Sequence, residues 1–161
     1  MQSRYRRVLL ALIVLLCAAG GLAGRAFAVT FTEFQLPTAN SAPDAITMGP
    51  DGALWFTEGL SRKIGRITPD GEIVEYQVPT PANTLPGLFG IAAGPDGALW
   101  FTDFGNNQIG RITTAGAITG FPIPNSFAGF APFRITAGPD GALWFTLTVS
   151  IGRITTAGEM T

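Results

Sequence analysis

The nonapeptide GPDGALWFT, Gly49–Thr57, recurs without a change at Gly94–Thr102 and at Gly138–Thr146. A second string, IGRIT, begins at Ile64, Ile109 and Ile151. The first marker returns after 45 and then 44 residues, the second after 45 and then 42. Two markers with one spacing define an internal repeat of about 42–45 residues, a period shared by four-stranded propeller blades and helical HEAT-type arrays.

The content of a unit decides between these. From Ala45 the chain reads AITMGPDGALWFTEGLSRKIGRITPDGEIVEYQVPTP. ITMG is a short β-branched run, and PDG is a turn in which Pro pre-sets φ and Gly permits φ > 0. In ALWFTE, Leu54 and Phe56 point to one face and Ala53, Trp55 and Thr57 to the other. KIGRIT is a third strand, PDG a second turn, and EIVEYQV a fourth strand ended by Pro79. Helical spacing of apolar residues is absent, and the chain holds 21 Gly and 12 Pro. The expected fold class is therefore all-β, a β-propeller of four-stranded blades, with about three blades present.

The boundaries follow from the repeat. Blades are expected over residues 39–82, 83–126 and 127–161. In the third, Glu159-Met160-Thr161 stand where a fourth strand begins, so most of that strand is missing. FTEFQLPT at Phe31 matches VEYQVPT at Val74, which predicts an outer closing strand over residues 29–38. About 4–8 blades close a ring and three do not. An open arc leaves apolar blade faces in water. The chain is accordingly expected to be part of a longer one or to self-assemble.

The first 28 residues read as a signal peptide: a basic start with Arg4, Arg6 and Arg7, an apolar run, and Ala26-Phe27-Ala28 as a small-residue cleavage site. The run Val8–Ala19 is 12 residues, short of the ~20 that a membrane span needs. An exported product beginning at Val29, with no membrane span after cleavage, is expected. It would keep 6 basic and 11 acidic residues and no cysteine. That excludes disulfides, thiolate nucleophiles and cysteine metal sites. The acidic balance speaks against nucleic acid as a partner.

The quoted residues carry a resemblance. GPDGALWFTE, a short loop and IGRITPDGEIVEY are similar to the repeat of the virginiamycin B lyase (streptogramin lyase) family, over Phe31 to Thr161. The resemblance implies a seven-bladed propeller that opens the ester of a cyclic depsipeptide by elimination, with Mg2+ near the axis. Elimination needs a base for the proton beside a carbonyl and an electrophile for the enolate. In the family these are a histidine and a metal assisted by glutamate. This chain has no histidine, so no catalytic residue is assigned and the 161 residues alone are expected to be inactive.

At the end of the second strand of each blade stand Glu58, Asp103 and Leu147, and the first two are the metal-ligand candidates. Before the first strand stand Asp44, Phe89 and Phe133, followed in the third blade by Arg134. These four are the ligand-loop candidates, because sites belong where repeats differ. The invariant Trp55, Trp100 and Trp144 are read as packing, Arg66, Arg111 and Arg153 as partners of nearby carboxylates, and Asp51, Asp96 and Asp140 as turn formers. Three functions stay open: part of an exported streptogramin-lyase-like enzyme, a noncatalytic propeller binding a peptide, glycan or envelope partner, and part of a gluconolactonase-like hydrolase.

Overall fold

The computed structural model describes residues 30–81, 84–124 and 131–161. The expected leader, residues 1–28 with cleavage after Ala28, and the blade boundaries at 82/83 and 126/127 lie outside these residues. The chain divides into units Met1–Glu33 and Phe34–Thr161. The described part of the first, residues 30–33, carries no regular element. The second contains the eleven strands of the described residues.

They form three antiparallel sheets. The first is β1 (Pro43–Met48), β2 (Leu54–Glu58), β3 (Lys63–Ile67) and β4 (Ile73–Gln77), paired in chain order. The second repeats it with β5 (Leu88–Ala93), β6 (Leu99–Asp103), β7 (Gln108–Ile112) and β8 (Ile118–Pro122). The third holds β9 (Ile135–Ala137), β10 (Leu143–Thr146) and β11 (Ile151–Ile154). A bridge from Ile154 to Met160 starts its fourth strand. These are meandering four-stranded blades, the third ending just as its outer strand begins.

The nonapeptide is the hairpin between the first two strands of a blade. Its turn is closed by Gly49 N–H to Ala53 O at 2.8 Å, with Gly52 at φ 75°. Asp51 accepts from Trp55 Nε1 at 2.9 Å and Arg66 Nε at 2.7 Å. The same carboxylate, indole and guanidinium meet at Asp96 and at Asp140. Arg66 and Arg111 also lie over the indole faces, about 6 Å from the ring centres. The repeated Asp, Trp and Arg thus form one structural triad per blade.

The two faces of β6 supply two cores. Leu99 and Phe101 pack with Trp55, Ile64 and Val78 of the first blade. Trp100, between them, packs with Leu143, Phe145 and Ile154 of the third. Alternation along a strand makes one sheet serve both neighbours. Close approach of adjacent strands requires Gly65, Gly110 and Gly152, where a Cβ would overlap the rings of Phe56, Phe101 and Phe145.

No strand forms over residues 30–38, where the outer closing strand was expected from 29 to 38. An outer strand needs the third strand of its own blade to pair with, and the described residues offer none ahead of β1. The aromatic packing of the segment persists: Phe34 lies against Gly71 as Tyr76 lies against Gly116 and Phe121 against Gly158. Thr38 is tied to the Glu75 carboxylate through its N–H at 2.9 Å and its hydroxyl at 2.6 Å. No helix among the described residues is long and apolar enough to cross a membrane.

Candidate functional site

Threonines fix the innermost strands. Thr57 accepts from Ala45 N–H at 3.1 Å and donates to Phe89 O, in the next blade, at 2.8 Å. Thr102 accepts from Gly90 N–H at 2.8 Å and donates to Phe133 O at 2.9 Å. The invariant Thr of the nonapeptide therefore sets the spacing of the very positions at which the blades differ.

Those positions sit in β-bulges. Pro43 pairs with Glu58 while Ile46 pairs with Phe56, so one extra residue lies on β1. Leu88 and Ile91 bracket the same irregularity against Asp103 and Phe101. A bulge re-aims side chains out of the pleat. Asp44 and Phe89 occupy the bulges, and Phe133 and Arg134 stand just ahead of β9.

The ligand-loop candidates come together in two contacts. Phe89 stacks on Phe133 with ring centres 5.7 Å apart, and Phe104 closes a triangle at 5.7 Å and 5.6 Å. Arg134 Nη1 donates to Asp44 Oδ2 at 2.5 Å, joining the third blade to the first. A cavity of about 250 Å³ borders this cluster and is lined by Asp44, Leu60, Pro86 and Phe89, among others. Leu60 and Leu85 expose most of their side chains on these loops. A concave apolar surface with a few converging polar groups is the usual form of a small-molecule site. Phe104, Leu60 and Leu85 were missed as individual residues. The signal for Phe104 was its place after the second strand, where the first repeat has Gly59.

The metal candidates part company. Both Glu58 and Asp103 are fully buried. Asp103 receives Arg62 Nη2 on both oxygens at 2.8 Å, Asn106 Nδ2 at 2.8 Å and Gln108 Nε2 at 3.0 Å. Ligation of a metal by Asp103 would require breaking that set. Glu58 Oε2 accepts from Ser61 at 2.8 Å, while Oε1 has no partner. Burial pushes the Glu58 carboxyl above its ordinary range, the Ser61 hydrogen bond opposes this, and the charge of Glu75 adds to it. Among the described residues no three Asp, Glu, His or Cys side chains gather. Mg2+ takes a near-octahedral oxygen shell, and one free oxygen of Glu58 does not fit that need by itself.

The Virginiamycin B lyase family is matched over residues 11–161. A virginiamycin B lyase of Bordetella pertussis is 44% identical over 51 residues, which are 32% of this chain and 17% of that protein. The crystal structure of virginiamycin B lyase from Staphylococcus aureus superposes with a TM-score of 0.73 at 49% identity, covering 80% of this chain and 43% of that one. A catalytically inactive histidine-to-alanine form of the Staphylococcus aureus lyase, with quinupristin, superposes at 0.72 and 48% identity, covering the same shares. A gluconolactonase of Xanthomonas campestris, 15% identical with a TM-score of 0.56, shares the fold. The chain spans less than half the length of each of these relatives.

Proposed function

As the chain belongs to the virginiamycin B lyase family, we propose that it contributes three blades, and the ligand-facing loops on them, to an exported lyase that opens the ester ring of a cyclic depsipeptide. The observation that supports this is the loop cluster of Phe89, Phe104, Phe133, Asp44 and Arg134. It is built where the repeats differ beside their identical nonapeptides, and it borders an apolar cavity. Such a surface suits the apolar side chains and the carbonyls of a small cyclic peptide.

In the elimination, a base takes the proton on the carbon beside a carbonyl. That electron pair becomes a carbon–carbon double bond, the carbon–oxygen bond breaks, and the ester oxygen leaves as a carboxylate. The role of this chain's residues is to bind and orient, since it has no histidine to serve as base. In the family reading Mg2+ supplies an electrophile for the enolate, and its ligands must include residues beyond the described set. Export follows from the reading of residues 1–28, and N-terminal sequencing of the secreted product should begin at Val29.

The deciding experiment exposes quinupristin to the 161-residue chain and to the native product of its source cells, with chromatography and mass spectrometry of the products. Elimination linearises the ring without a change of mass. Hydrolysis, the gluconolactonase-like outcome, adds one water. The expected result is ring opening at unchanged mass by the native product and none by the 161 residues alone. Binding without turnover by the native product would replace the lyase by a noncatalytic binding propeller.

A further inference from the structure

We propose that Arg134 binds a carboxylate whose apolar or aromatic body rests on the Phe89–Phe104–Phe133 cluster, and that Asp44 is the built-in competitor the ligand displaces. The position of Arg134 is Ala45 in the first blade and Gly90 in the second. A Cβ at Gly90 would lie 2.9 Å from Arg134 Cα. The middle blade thus carries no side chain there, and Arg134 reaches past it to Asp44. The pair spans three blades but packs into no core, with side chains 61% and 33% exposed. An exposed ion pair of this kind is weak and exchanges readily. Guanidinium presents five donors in a fork matched to a carboxylate. Asp44 engages that fork through one nitrogen, Nη1.

Apolar surface lies beside this charge. Phe133 directly precedes Arg134, and Asp44 and Phe89 line the same cavity. A ligand joining a carboxylate to an aromatic ring would use both features. This deepens the proposed function and rests on it in one respect: ring opening by elimination frees a carboxylate, and the site would then hold the acid end of the linear product.

The test is an NMR titration of the native product of the source cells, and of its variants, with N-acetyl-L-phenylalanine and, in parallel, with its neutral amide. The acid should bind about tenfold more tightly than the amide, as a charge-assisted pair implies. Arg134→Gln should erase that preference while leaving amide binding in place. Asp44→Asn should tighten the acid several-fold by freeing Arg134. Phe133→Leu should weaken both probes. Equal binding of acid and amide, absence of binding by either, or weaker acid binding in Asp44→Asn would overturn the proposal. Neither probe has an ester ring to open. Acid preference without quinupristin turnover by the native product would sink the lyase reading alone, and turnover without acid preference would sink this proposal alone.

Discussion

Arg62 leaves the loop after β2 and places Nη2 on both oxygens of Asp103, at 2.8 Å, in the next blade. Nη1 caps Leu85 O at 2.8 Å. The pair is almost sealed, with side chains 8% and 0% exposed, and Arg62 adopts φ 56° to reach it. Burying two charges is expensive, so the net value of the pair is modest while its rupture is not. Asp103→Ala should destabilise the chain by about 3–5 kcal/mol, because it strands a buried guanidinium. The double exchange Arg62→Met with Asp103→Leu should recover much of that loss. Urea unfolding of the two variants beside the unsubstituted chain checks both statements, and a double exchange as damaging as the single would refute the second.

The threonine bridges should show a gradient. Thr102→Val removes the acceptor for Gly90 N–H and the donor to Phe133 O, in buried and part-buried surroundings. Gly90 N–H and Phe133 O keep their direct bond to each other at 2.9 Å, so the expected loss is about 0.5–1.5 kcal/mol, the net value of a hydrogen bond. Thr146 accepts from Arg134 N–H in an exposed setting, where water can replace it. Thr146→Val should therefore cost clearly less in the same denaturation assay.

Glycines separate packing from conformation. Gly110→Ala drives a methyl into the Phe101 ring inside the core, and overpacking there should cost about 1–3 kcal/mol. Gly97 has open space around it but φ 73°, so Gly97→Ala should cost about 1 kcal/mol through backbone strain alone. Thermal melts of the two variants, with Gly110→Ala the lower, test the distinction.

Acid should act on the triads. The Trp144 and Arg153 hydrogen bonds hold the Asp140 carboxyl at about 2, against an ordinary 3.8. For Asp51 and Asp96 burial opposes, but indole and guanidinium bonds prevail and also lower them. Their stabilisation is present above the ordinary value and is lost as pH falls below it, down to about 2 for Asp140. Glu58 runs the other way: burial raises it, so its charged form detracts from stability as pH rises above the ordinary 4.5. Glu58→Gln should raise the melting temperature at pH 7 and change little at pH 4. Melts at both values decide, and a loss at pH 7 would show the Glu58 charge to be needed.

Much of this was legible in the letters. Three identical hairpins, Gly49–Thr57 and its copies, fixed strand number, turn chemistry and blade class, because local turn preferences and period-two alternation need no distant partner. Differences between copies mark Asp44, Phe89, Phe133 and Arg134 in the sequence itself.

Tertiary structure alone decided what each copy does with the same residue. Trp55 and Trp100 are fully buried, but Trp144 is 38% exposed; Leu99 and Leu143 are fully buried, but Leu54 is 42% exposed. Identical side chains differ because burial is conferred by the neighbouring blade, which a repeat cannot encode within itself. The same holds for the carboxylates at equivalent positions. Asp103 is spent on Arg62 from the blade before it, while Glu58 keeps one oxygen unpaired. Contacts between residues 41 and 90 positions apart, as in Arg62–Asp103 and Asp44–Arg134, arise only when blades stack. The sequence thus determined the blade, and the stacking of blades determined which of its repeated residues are core, which are paired and which stay exposed.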